Sequence, residues 1–212
     1  MIDQAEKTLI LQAWFSPSFP IGSFSYSHGL EAAVQAGFVT DTASLKHWLH
    51  NLIEFGSCRN DVIFLKAAYQ GDNSVNDLCL ALCAGSERCV ELVEMGGAFT
   101  KAVKSAYHIE LPENLGLPVA IGYAAAKLQL DQQQTELFYV NSFISNLISI
   151  AIRIIPIGQE AGQQCLVELF PVISGLMQKL ENATLNDIGS AAFLSDIMSM
   201  KHEQSSPRLL RT

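Results

Sequence analysis

The chain has 212 residues, of which 49% are hydrophobic and only 16% charged, and its net charge is −8. A chain of this length buries roughly 70% of its unfolded surface, in one domain or two small ones, and so low a charge content hints at surface hidden in a partner. The thirteen Lys and Arg are scattered, which argues against a phosphate-tracking surface, and five cysteines without a basic, apolar leader in "MIDQAEKTLI" argue against a disulfide framework.

Strand signals are absent: no segment sustains apolar–polar alternation, and no Asn-Gly or Asp-Gly turn occurs. Helical periodicity recurs instead, so the expectation is an all-α, single-domain bundle of roughly eight to ten helices. The first helix, through "LILQAWF", must end before Pro17 and Pro20, which lack an N–H and restrain their neighbours. Gly22 allows a sharp re-entry, and Ser23 or Ser25 is expected to cap a new helix. On that helix Tyr26, Leu30, Ala33 and Val34 face the core, Ser27, Glu31 and Gln35 share another face, and Gly29 implies a close approach. Asp41 or Thr42 caps the next helix, whose stripe is Leu45, Trp48, Leu49, Leu52 and Ile53 and whose end is Gly56.

Further helices are expected over 59–69, from "GDNS" to about 84, and over 86–107, where Gly96-Gly97 implies close helix contact or a kink. Pro118 can open the next helix, and Asp131 caps another over 132–155. Within it, "LFYVNSFISNLISIAI" is shorter than the ~20 residues of a membrane span and contains two Asn, so it reads as the buried central helix. Pro156 and Gly158 stop it; a stripe from Leu166 to Leu180 follows, with Pro171 as an expected kink. A short helix over 190–200 precedes the polar end "KHEQSSPRLLRT". There is no repeat or linker.

Two segments look unlike ordinary core. "SPSFPIGSFSYSHGLE" is either a plain helix corner or a docking corner with Phe24 and Tyr26 as anchors; His28 has no implied orienting acid, so no nucleophile–base pair emerges. Near the other end, Ala192, Phe193, Ile197 and Met200 form an apolar stripe, and Leu209 and Leu210 lie between two arginines like a docking peptide. Residues 204–212 are expected to be a flexible tail, either a frayed terminus or a segment that orders when a partner covers it. His47, His50 and Glu54 share a helix face and could ligate a metal, as could Cys79 and Cys83 with Cys89 nearby; a solvated face and buried thiols are the plainer expectations. The paired carboxylates Glu91 and Glu94 have no evident pocket. With no phosphate loop, dinucleotide fingerprint, zinc-helix motif or nucleophile elbow, an autonomous enzyme is disfavoured and no cofactor is expected. The competing expectation is a helical-bundle small-molecule enzyme with an internal cavity lined by Tyr123, Tyr139 and Phe143.

At these two segments the chain resembles the UreF family of urease accessory proteins. "SPSFPIGSFSYSHGLEAAV" is similar to the family's proline–glycine elbow motif, "LPVAIGYAAAKLQL" supports it mid-chain, and "SDIMSMKHEQSSPRLL" is similar to its C-terminal motif. The chain departs from the pattern at Lys201, Pro207 and Leu210, where Arg, Ser or Ala, and Phe are common. The resemblance implies an all-α, non-catalytic homodimer; the missing leader, the short apolar run and the scattered basic residues lead to the expectation of a cytoplasmic protein that binds neither nucleic acid nor membrane. It implies association with a UreD/UreH-type accessory protein and the GTPase UreG on apo-urease, promoting nickel insertion and regulating the GTPase. Direct nickel carriage by His47, His50 or the cysteines is a separate possibility. By matching positions, the resemblance implies a partner surface at Pro20, Gly22, Phe24, Ser25, Tyr26, Ser27, Gly29 and Glu31. A second half comes from Ser195, Asp196, Lys201, His202, Glu203, Arg208 and Leu209, with Arg208 offering a rigid fork to a partner carboxylate.

Overall fold

In a computed structural model that describes residues 2–211, Asp3 accepts the Glu6 amide and starts α1 (Gln4–Trp14). The chain then turns through a 3-10 segment, Ser23–Ser25, into α2 (Leu30–Gln35). Asp41 begins α3 (Thr42–Phe55) with a reciprocal box, its carboxylate accepting the Ser44 amide at 2.8 Å and its own amide donating to Ser44 Oγ at 3.1 Å. Next come α4 (Ser57–Tyr69), α5 (Val75–Ala81), α6 (Ser86–Tyr107) and α7 (Leu117–Leu128), the last opened by Pro118. Asp131 caps α8 (Gln132–Ile154), which is followed by α9 (Gln159–Lys179), a 3-10 turn at Leu185–Asp187, and α10 (Phe193–His202). Among the described residues there are ten α-helices and no strand, so the all-α expectation holds.

The most extensive helix pair is α4 with α7. Its closeness follows from small residues: a Cβ on Gly122 would lie 2.4 Å from the Leu65 carbonyl oxygen, so only glycine fits. Around that seam, α6 packs on α7, α8 on α9 and α4, and α3 on α9. By length and composition α8 could cross a membrane, but its stripe of Tyr139, Val140, Ile144, Leu147, Ile148 and Ala151 is buried in the bundle. Short α2 lies under α10, where a Cβ on Gly29 would come 2.7 Å from the Ser199 amide nitrogen.

Several expectations need correction. No α-helix starts at Ser23 or Ser25; only a three-residue 3-10 turn lies there. Tyr26 is extended, and His28 (φ 52°) and Gly29 (φ 75°) are both left-handed, a pair of conformations that no right-handed helix can contain. The helix therefore begins at Leu30, and Ser27 Oγ accepts the Glu31 amide at 3.2 Å in place of the expected serine caps. Gly96 does mark a close approach, but to loop backbone rather than a helix: its Cβ would meet the Leu115 carbonyl oxygen at 2.0 Å, while Gly97 faces open space. α5 stops at Ala81, three residues early. α10 starts at Phe193 rather than Ser190, because the Ala191 amide is drawn to the Phe55 carbonyl at 2.8 Å.

Candidate functional site

The elbow and the C-terminal segment meet on α6. Glu31 is the junction. It is 2% exposed, although the resemblance placed it on the partner surface. Its carboxylate accepts the backbone amides of Leu209 (2.9 Å) and Leu210 (2.8 Å) and faces His202 Nε2 at 3.1 Å. The other ring nitrogen, Nδ1, faces Glu87 on α6 at 2.9 Å, and Glu87 also pairs with Arg208. A few residues on, the Arg211 amide donates to the Ser25 carbonyl at 2.7 Å, and its guanidinium pairs with Glu94 at 2.7 Å while lying over the Tyr26 ring. Tyr26 Oη donates to Glu94 at 2.5 Å; burial, and then that carboxylate, push the phenol above its usual range. Glu203 completes the seam by accepting the Glu87 amide at 3.2 Å, placing a carboxylate at the α6 N-terminus, whose N–H groups hold its pKa low. Together these contacts form a strap, residues 203–211, moored to the elbow and α6.

Beneath the strap lies a second ionic cluster. Arg88 on α6 donates to Glu91 at 2.5 Å and to Asp61 on α4 at 2.6 Å, and all three are buried. Tyr139 Oη on α8 donates to Asp61 at 2.7 Å, and His28 Nε2 lies 3.0 Å from Glu91. Desolvation, reinforced by Arg88, drops the His28 pKa well below its usual value, so the imidazole is neutral near pH 7. Two carboxyl groups share one guanidinium here, so the cluster is tied together across α4 and α6.

The expected partner residues divide by exposure. Pro20, Phe24, Lys201, Arg208 and Leu209 are exposed, and Gly22, Ser25, Asp196 and Glu203 are partly so. Tyr26, Ser27, Gly29, Glu31, Ser195 and His202 are buried and join the two segments to each other. The fork of Arg208 is taken up by Glu87 of the same chain.

Sequence reasoning did not find Asp61, Glu87 or Arg88. It noted Glu91 and Glu94 but saw no pocket for them, whereas Glu91 lines a cavity with Arg88 and Glu94 holds the elbow. The available signal was the row Glu87, Glu91 and Glu94 on one face of α6. Of the candidate metal ligands, His47 is exposed and Glu54 pairs with Lys179. Cys83 Sγ donates to the Cys79 carbonyl at 3.6 Å, and burial, then Cys89, push its thiol up to about 12. Among the described residues no three His, Cys, Asp or Glu side chains converge as a metal site would need. Tyr139 and Phe143 do share a cavity, but Tyr123 does not line it and instead donates to the Asp72 carbonyl at 2.8 Å.

Comparison with known proteins places the sequence in a family. The UreF family model matches residues 39–170. "Urease accessory protein UreF" of Ruegeria pomeroyi is 37% identical over 98% of this chain and 97% of its own length. Proteins of the same description from Cereibacter sphaeroides (40% identical, 96% of this chain and 98% of the relative) and Methylobacterium radiotolerans (36%, covering 99% and 98%) are similar throughout. With a family model over more than half its length and relatives aligned from the elbow to the strap, the chain belongs to the UreF family of urease accessory proteins.

Proposed function

We propose that this chain acts as a non-catalytic scaffold in urease maturation. In this reading it joins a UreD/UreH-type accessory protein and then a UreG-type GTPase on apo-urease, with nickel as the cargo delivered to the active site. It works as a homodimer in the cytoplasm and tunes GTP hydrolysis by its partner. The observation that carries the reading is the strap. It brings two distant segments together on a rigid helix, and each offers large apolar side chains to solvent: Phe24 at 62% exposure from the elbow and Leu209 at 79% from the tail. Phe193, Ile197 and Met200 extend that surface along α10. Apolar anchors on a pre-ordered platform suit protein recognition, because little ordering entropy is lost on docking.

Co-expression with the UreD-type and UreG-type proteins tests the assembly. Joint substitution of Phe24→Asp and Leu209→Asp is expected to abolish co-purification while leaving far-ultraviolet circular dichroism unchanged. Retention of the complex by that double variant would overturn the assignment of the surface. GTP turnover measured with and without this chain tests the regulatory part, and equal rates would remove it.

A further inference from the structure

His202 is fully buried, and each of its ring nitrogens meets a carboxylate. Nε2 lies 3.1 Å from Glu31 Oε2 on α2, and Nδ1 lies 2.9 Å from Glu87 Oε2 on α6. A neutral imidazole has one N–H, so it can satisfy one of these carboxylates and turns a lone pair on the other. Both contacts are hydrogen bonds only when the three side chains together carry one proton more. The carboxylates are already committed as acceptors. Glu31 takes the Leu209 and Leu210 amides and the Gln35 side-chain amide at 3.3 Å, and Glu87 takes the Arg208 guanidinium. The extra proton therefore belongs to the ring, which also sits in the last turn of α10, where the helix dipole favours a cation.

We propose that this proton is the latch of the strap: the strap closes as the Glu31–His202–Glu87 group takes a proton up, and opens as that proton leaves for water. In the open strap the imidazole and both carboxylates are hydrated, and above about pH 6.5 such a set carries no extra proton. The closed strap carries one, so rising pH favours opening. For a single proton the open-to-closed ratio rises by up to about tenfold per pH unit above about pH 6.5 and is flat below it, where both states are protonated. The other charged groups at the latch do not supply this dependence. Arg208 keeps its charge, as any guanidinium does, and Glu203, which accepts the Glu87 amide at 3.2 Å, has its carboxyl held below the usual range by the α6 N–H groups. His28, in the cluster beneath, takes up its proton on the acid side, outside this window. Opening releases the Leu209 and Leu210 amides from Glu31, so the latch decides whether the tail and the elbow are presented together. The inference does not depend on the accessory role.

The test uses the full chain. Trypsin cleavage after Arg208 is timed from pH 6 to 9, and each rate is divided by that of a free peptide of residues 204–211 at the same pH, so that the pH dependence of trypsin itself cancels. The ratio is expected to be flat up to about pH 6.5 and then to rise by up to about tenfold per unit. Glu87→Gln sets an amide N–H against Nδ1, so both contacts form around a neutral ring; the strap should stay closed and the rise should vanish. Nitrogen-15 nuclear magnetic resonance of the histidines reads the latch in the unaltered chain and keeps the test decisive if Glu87→Gln fails to fold. At pH 7.5 the His202 ring should show two N–H groups. A ratio that stays constant between pH 6.5 and 9, a rise that survives in Glu87→Gln, or a His202 ring with a single N–H at pH 7.5 would each overturn the proposal.

Discussion

The α4–α7 seam and the α6–elbow–strap seam solve the same packing problem by opposite means. In the first, glycine and alanine let two backbones touch, and every buried residue that α7 brings to the bundle is apolar. In the second, backbones also touch, at Gly29 against α10, but the join is made by carboxylates: Glu31, Glu87, Glu91, Glu94 and Glu203 each hold a cationic group, a ring nitrogen or a backbone amide. An apolar seam is non-directional and tolerates small shifts, whereas an ionic seam fixes one register and is costly when half of it is removed. The second kind is placed where the chain must hold two distant segments in one arrangement.

Breaking the ionic seam at its hub should have the largest effect. Arg88→Met leaves Asp61 and Glu91 buried together without their cation and is expected to cost about 3–5 kcal/mol in urea denaturation. A matched pair of glycine substitutions then separates the regions. Gly122→Ala overpacks the apolar seam by about 1–3 kcal/mol and should leave the strap protected. Gly29→Ala, strained at φ 75° and crowded by α10, should cost a similar amount and also expose Arg208 and Arg211 to rapid trypsin cleavage. Cleavage rates that rise equally in both variants would erase the distinction.

Glu31→Gln keeps the shape of the mooring but removes its charge. A loss of about 2 kcal/mol is expected, with faster tail proteolysis and unchanged helix content. Acid sharpens the comparison further. His28 is neutral in the fold and titrates near 6.5 when unfolded, so the unfolded chain binds the extra proton as pH falls. Stability is therefore fully present above about pH 6.5 and declines below it, by at most about 1.4 kcal/mol per pH unit from this group. His28→Asn, which tolerates the left-handed backbone, should flatten the slope between pH 7 and 5. The smallest effect is expected at the exposed Lys46–Glu168 pair, where Lys46→Met should leave the unfolding midpoint unchanged within error.

The apolar half of the molecule was readable from sequence because its signals are local. Leu45, Trp48, Leu49 and Leu52 repeat at the helical period within eight positions, and Asp41 and Asp131 sit where a cap must sit. The ionic half was not. Glu31 and His202 are 171 positions apart, and nothing in either neighbourhood announces the other. A charged residue at helical spacing is ordinarily solvated, so nothing in the local pattern points Glu31 or Arg88 inward. The tight fit at Gly29 was legible from its missing side chain, but its left-handed backbone was not, and that conformation displaced the start of α2 by several residues.

The way Glu31 grips the tail has a consequence for how the sequence can change. Its carboxylate reads two amide hydrogens, at Leu209 and Leu210, which any residue except proline supplies. Position 209, whose side chain faces water, can thus drift in identity without loosening the anchor. The side chain at 209 is thus uncoupled from the mooring, and the outer surface there can change without disturbing the architecture beneath it.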